Sequence, residues 1–171
     1  MPTVGKSGAL SFALLLLVAC SSFAQQPVTT FILVRHAEKD MTQSTPDPDL
    51  SAEGHARARR LALLFEKTEI AAVYSTPFKR TRQTVEPLAA GKKLTIQQYA
   101  VNDEKEVDKI FAAYKGKTVF IGGHSNTVPQ LLNYITGDSQ YTTFDDLDYG
   151  NIIIVSVTEL RKPGSVIWLK Y

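Results

Sequence analysis

Apolar and polar residues fall into short blocks along this chain, and the blocks carry two different periods. Thr30 to Val34 (TFILV) is β-rich and apolar without alternation, the pattern of a strand covered on both faces. Ile70 to Tyr74, Leu94 to Gln98, Thr118 to Ile121 and the β-branched Asn151 to Val157 read as further strands, and Ser165 to Tyr171 as an edge strand. Between them lie stretches with helical spacing. Ser51 is placed to cap a helix whose apolar stripe is Ala58, Leu61, Ala62, Leu64 and Phe65. Lys79 to Ala90 predicts a second helix with a kink or early stop at Pro87. Glu104 to Tyr114, with Val107, Ile110 and Phe111 on one side, and Val128 to Ile135 complete the set. Thr42 to Asp49, with two prolines among short polar residues, is a loop. Strands alternating with helices at short spacing predict an α/β domain around a mostly parallel central sheet flanked by helices.

The first 26 residues follow another logic. Lys6 precedes an eleven-residue run, Ala9 to Ala19, apolar but for Ser11, too short to span a bilayer and suited to the core of a secretory signal. Two exits from it compete. Leu17-Val18-Ala19-Cys20 has the form of a bacterial lipobox, with Cys20 as the lipidation candidate. Ser22-Phe23-Ala24-Gln25 offers the small residues that ordinary signal peptidase needs. Either exit implies an exported, periplasmic protein; the first implies a lipoprotein attached to a membrane, such as the outer membrane, through Cys20. Residues 27–171 then form one domain. Cys20 is the only cysteine, so this domain has no internal disulfide and relies on packing. The 19 basic and 17 acidic residues are evenly spread, giving +2 overall and no field that points to nucleic acid.

In parallel α/β sheets, ligands gather at the carboxyl ends of the strands. Three predicted strands end there in polar groups: Arg35-His36 after the first, Ser75 to Arg80 after the second, and His124, behind Gly122-Gly123, after the fourth. Guanidinium forks bind phosphoryl oxygens bidentately, and a neutral imidazole is a competent nucleophile near pH 7. His36 fits the nucleophile, with its other ring nitrogen donating to a backbone carbonyl. His124 fits a second pocket member that stabilises charge in the transition state. His55, by contrast, reads as exposed, and Arg57, Arg59 and Arg60 as a solvated helix face. Asp145, Asp146 and Asp148 read as loop and cap residues, without a metal-ligand pattern.

Four segments in order carry a resemblance. The sequence LVRHAEK at Leu33 to Lys39 resembles the signature of the histidine phosphatase superfamily, the phosphoglycerate-mutase-like proteins. LSAEGHARARRLA at Leu50 to Ala62, YSTPFKRTRQT at Tyr74 to Thr84 and IGGHSNT at Ile121 to Thr127 are similar to its other segments. The resemblance implies a three-layer α/β sandwich and a phosphatase without metal or organic cofactor. It also implies that His36 takes the phosphoryl group as phosphohistidine, while Arg35, Arg80 and His124 clamp it. One departure stands out. Larger members carry a glutamate proton donor after the third strand, within a Gly-rich stretch that this chain lacks. Asp103 and Glu104 are the candidates there, but both also fit the opening of a helix, where carboxylates favour the dipole. A phosphoramidate, with its good leaving group, would need no strong donor. The expected partners are a phosphorylated small molecule or a phosphoprotein. A phosphomutase and a non-catalytic phosphate-binding module are the alternative functions.

Overall fold

The computed structural model describes Pro2, residues 26–100 and residues 103–171. The expected export signal and Cys20 lie outside them. Six strands form one sheet: β1 (Thr29–Arg35), β2 (Ala72–Ser75), β3 (Ile96–Gln98), β4 (Thr118–Gly123), β5 (Asn151–Val157) and β6 (Ser165–Lys170). Their order is β3-β2-β4-β1-β5-β6. The first four in that order run parallel, β5 is antiparallel to β1, and β6 pairs antiparallel to β5 as an edge strand.

Helices α1 (Ala52–Leu64), α2 (Lys79–Lys92), α3 (Glu104–Ala113) and α4 (Thr127–Thr136) cover the two faces in pairs. Because side chains alternate along a strand, β1 divides its apolar run between two cores. Phe31 and Leu33 pack with Val107 and Ile110 of α3 and with Leu131, Leu132 and Ile135 of α4. Ile32 and Val34 pack with Leu61 of α1 and with Val85 and Leu88 of α2. The fold is therefore the expected three-layer sandwich, and Phe31 to Val34 of β1 are all apolar because neither face meets water.

Local chemistry sets the element ends. Ser51 accepts from Gly54 N–H at 3.1 Å, and so caps α1 as its sequence predicts. A side chain at Gly54 would sit 2.3 Å from the Glu38 carbonyl, so glycine lets α1 dock directly under the loop that follows β1. Helix α2 differs from expectation: it runs past Pro87 to Lys92 and ends where Lys93 turns left-handed at φ 57°. Pro87 deletes one intrahelical donor, while Val85, Leu88 and Ala89, all buried, hold the helix on the sheet around it. Strands β2 and β3 begin two residues later than the sequence suggests, where their pairing begins: Ala72 opposite Val119 and Val73 opposite Ile96.

Candidate active site

The register of β1 against β4 places Arg35 opposite Gly123, and His36 N–H donates to the Gly123 carbonyl at 2.9 Å. His36 and His124 thus leave neighbouring parallel strands at the same level. Their rings lie 5.4 Å apart at 66°. The paired glycines before His124 make this possible. A Cβ on Gly122 would meet Val85 of α2 at 2.8 Å, and one on Gly123 would meet Thr127, Val128 and Tyr99 at 3.0–3.1 Å.

His36 is buried, and its Nδ1 lies 2.8 Å from the Ala37 carbonyl. A carbonyl only accepts, so Nδ1 carries the proton and Nε2 presents its lone pair. Burial lowers the pKa of this ring from 6.5 to about 3; the Ala37 bond opposes the shift, and the charges of His124, Arg80 and Arg35 add to it. His124 Nε2 lies 3.0 Å from Thr76 Oγ1. Its pKa falls to about 4, first through burial and then through Arg80 and Arg35. Both imidazoles are therefore neutral at pH 7.

The two guanidinium groups are held differently. Arg35 Nη1 donates to the carbonyls of Asp145 at 2.7 Å and Asp148 at 3.1 Å, and Nη2 donates to that of Asp146 at 2.9 Å. The group stacks on the Tyr149 ring, 4.3 Å from its centroid. Arg80 lies over Phe78 at 4.4 Å and meets Asp47 at 3.4 Å. Burial lowers its pKa, opposed by Asp47 and Tyr149. Thr84, one turn along α2, ties the halves together: its hydroxyl donates to the Arg80 carbonyl at 2.7 Å and accepts from Ala37 N–H at 2.9 Å. Among the described residues, each guanidinium keeps a buried Nε with no hydrogen-bond partner. A buried donor left unpaired is costly, and two of them beside a pair of neutral imidazoles mark a place that an anion completes.

Residues 31–104 match the histidine phosphatase superfamily (branch 1). The fold agrees over most of the described chain. The protein histidine phosphatase SixA, in complex with tungstate, superposes with a TM-score of 0.69 at 19% identity, covering 82% of this chain and 96% of that one. Residues 31–104 thus carry the likeness to the histidine phosphatase superfamily, and the rest of the described chain shares the fold. Phosphoglycerate mutase from Bacillus anthracis has a similar fold, with a TM-score of 0.65 at 14% identity over 84% of this chain and 93% of its own. Among curated relatives, phosphoserine phosphatase 1 of Hydrogenobacter thermophilus is 39% identical over 70 residues, 38% of this chain. The match spans about a third of that relative's length, 33%.

The fold thus brings Arg35, His36, Arg80 and His124 to one place at the carboxyl end of the sheet. Asp103 and Glu104 stand at the opening of α3, in a cavity whose lining also includes Thr127, the residue that accepts from His124 N–H at 2.9 Å. Asp103 caps α3 by accepting from Lys105 N–H at 3.0 Å, and both residues line this cavity of about 640 Å³ with Val107 of α3 and Leu131 and Tyr134 of α4. Among the described residues neither is hydrogen-bonded to any of the four, and no three His, Cys, Asp or Glu side chains are grouped to hold a metal ion.

Sequence reasoning missed Tyr149, Phe78, Thr76 and Asp47 at this site. Only Thr76 and Phe78 carried a signal, through their place in the segment before Arg80. The reading of Arg57 as solvated is also corrected: it is 13% exposed, and its Nε donates to both Glu38 oxygens, at 2.8 and 2.9 Å. That pair ties α1 to the loop two residues beyond His36. The acidic run at 145–148 is likewise more than loop and cap, because its carbonyls hold Arg35.

Proposed function

We propose that this protein is a phosphatase that hydrolyses phosphomonoesters or phosphohistidine through a phosphohistidine intermediate on His36. The observation that carries this reading is the neutral His36 ring, its proton fixed on Nδ1 by Ala37, beside two guanidiniums; among the described residues its Nε2 is free and their Nε donors are unpaired. Neutral Nε2 attacks phosphorus while Arg35, Arg80 and His124 spread the charge of the equatorial oxygens. Water then attacks the phosphohistidine and returns the ring to its starting form. Because guanidiniums and imidazoles supply the clamp, the proposal requires no metal or organic cofactor. The likeness to phosphoserine phosphatase 1 supports hydrolysis.

The test follows phosphate release together with acid-labile, base-stable phosphate on the purified protein and on His36→Ala. The wild type is expected to release phosphate and carry the label. The variant is expected to lose both, with turnover reduced on the order of 10⁴-fold or more. Turnover that survives the substitution rejects His36 as nucleophile, and transfer between substrate positions without free phosphate rejects hydrolysis in favour of a mutase.

The leader adds a second proposal: export to the periplasm, with Cys20 as the lipid-bearing residue. Incorporation of labelled fatty acid that is lost in Cys20→Ala is the expected outcome. An unlabelled, soluble periplasmic protein points instead to cleavage after Ala24.

A further inference from the structure

Breaking a phosphate ester of an ordinary alcohol needs a proton for the departing oxygen. Of the candidates after β3, Asp103 is engaged in capping α3 through Lys105 N–H at 3.0 Å. Asp47 has both oxygens engaged by Lys79 N–H, at 3.0 and 3.2 Å, beside Arg80. Tyr149 is different. It is half-buried, and its ring lies 6.2 Å from that of His36 and beneath Arg35 at 4.3 Å. Its phenol also acts electrostatically on Arg80. The residue therefore stands among the nucleophile and both guanidiniums, and among the described residues its hydroxyl has no hydrogen-bond partner.

Its position is also built. Arg35 gathers the carbonyls of Asp145, Asp146 and Asp148 and so fixes the loop that ends in Tyr149. Gly150, at φ 81°, then turns the chain into β5. The guanidinium that faces the phosphoryl group is thus also the anchor of the tyrosine beside it.

We infer that the Tyr149 hydroxyl is the proton donor to the leaving group, an inference that rests on the phosphatase reading above. His36 Nε2 forms the N–P bond as the ester P–O bond breaks, and its electron pair goes to the leaving oxygen. That oxygen takes the Tyr149 proton and departs as an alcohol. The phenolate left behind is stabilised by the charges of Arg35 and Arg80. In the second step water attacks phosphorus and gives a proton to Tyr149. The N–P pair returns to Nε2, and phosphate leaves. Ester and water become alcohol and phosphate, and both residues are restored.

The test compares kcat/KM, which reports the first chemical step, for an alkyl phosphate and for p-nitrophenyl phosphate in wild type and Tyr149→Phe. The phenylalanine keeps the ring under Arg35, and competitive inhibition by inorganic phosphate checks that the pocket is intact. The expected result is a fall on the order of 10²-fold or more on the alkyl phosphate, with a far smaller fall on the activated ester. Equal falls on both substrates would mean that Tyr149 only shapes the pocket, and no fall on the alkyl phosphate would remove it from catalysis; either overturns the inference while the phosphatase reading stands. A wild-type protein that releases phosphate from phosphohistidine but from neither ester overturns the inference while the phosphatase reading stands; one that releases phosphate from none of the three sinks both.

Discussion

The two guanidiniums of the site make an instructive pair, because the same side chain is built into the protein in opposite ways. Arg35 ends a central strand and spends three donors on backbone carbonyls of one loop. Arg80 opens a helix and meets one carboxylate at 3.4 Å, over the ring of Phe78, which is itself 37% exposed. The first organises structure and presents what remains of its fork to the ligand. The second is held loosely enough to exchange Asp47 for an incoming anion. One side of the site is a scaffold and the other is a clamp.

Lysine at each position sharpens that contrast most strongly, since an ammonium keeps the charge and loses the planar fork. Arg35→Lys should lose both activity and stability. Loss of the carbonyl anchor costs about 2–3 kcal/mol of unfolding free energy by denaturant titration, and activity falls on the order of 10²-fold or more. Arg80→Lys should show a comparable fall in activity with unfolding free energy within about 0.5 kcal/mol of wild type. Equal destabilisation by the two variants would break the comparison.

A smaller effect is expected from pH. The folded pKa values of His36 and His124 lie below the ordinary 6.5, so between pH 6.5 and about 4 the unfolded chain binds protons that the folded one excludes. Stability should therefore be full above pH 6.5 and decline as pH falls. The buried His36 contributes up to about 1.4 kcal/mol per pH unit in that window. Equilibrium unfolding at pH 7 and pH 5 measures the decline, and its disappearance in His36→Ala, apart from the share of His124, assigns it. A dianion bound among the four side chains should raise both imidazole pKa values, so saturating inorganic phosphate should flatten the slope.

What could be read from the chain, and what could not, follows the same physical division. Strand β1 was legible because burial on both faces leaves an unbroken apolar run, and α1 because Ser51 is a capping residue at a helix start. Arg35, His36, Arg80 and His124 were legible because each sits at a strand end or helix opening in a segment whose spacing is fixed by local geometry: Thr84 follows Arg80 by one helical turn so that a single hydroxyl can reach both Arg80 and Ala37. The Arg35 cradle was hidden, because it uses the carbonyls of Asp145, Asp146 and Asp148, and a residue's type says nothing about where its carbonyl points. Asp47 and Tyr149 were hidden because their relation to the site arises only when distant loops fold onto it. Arg57 looked solvated among other arginines, and only the docking of α1 under the β1 loop pairs it with Glu38.

The central claim is that the four side chains enclose one tetrahedral oxyanion, and a crystal structure with phosphate or tungstate bound tests it most directly. The account predicts a single anion within hydrogen-bond distance of Arg35 Nε, Arg80 Nε and His124, with its central atom facing His36 Nε2. An anion seated elsewhere, with both arginine Nε donors still unpaired, would contradict it.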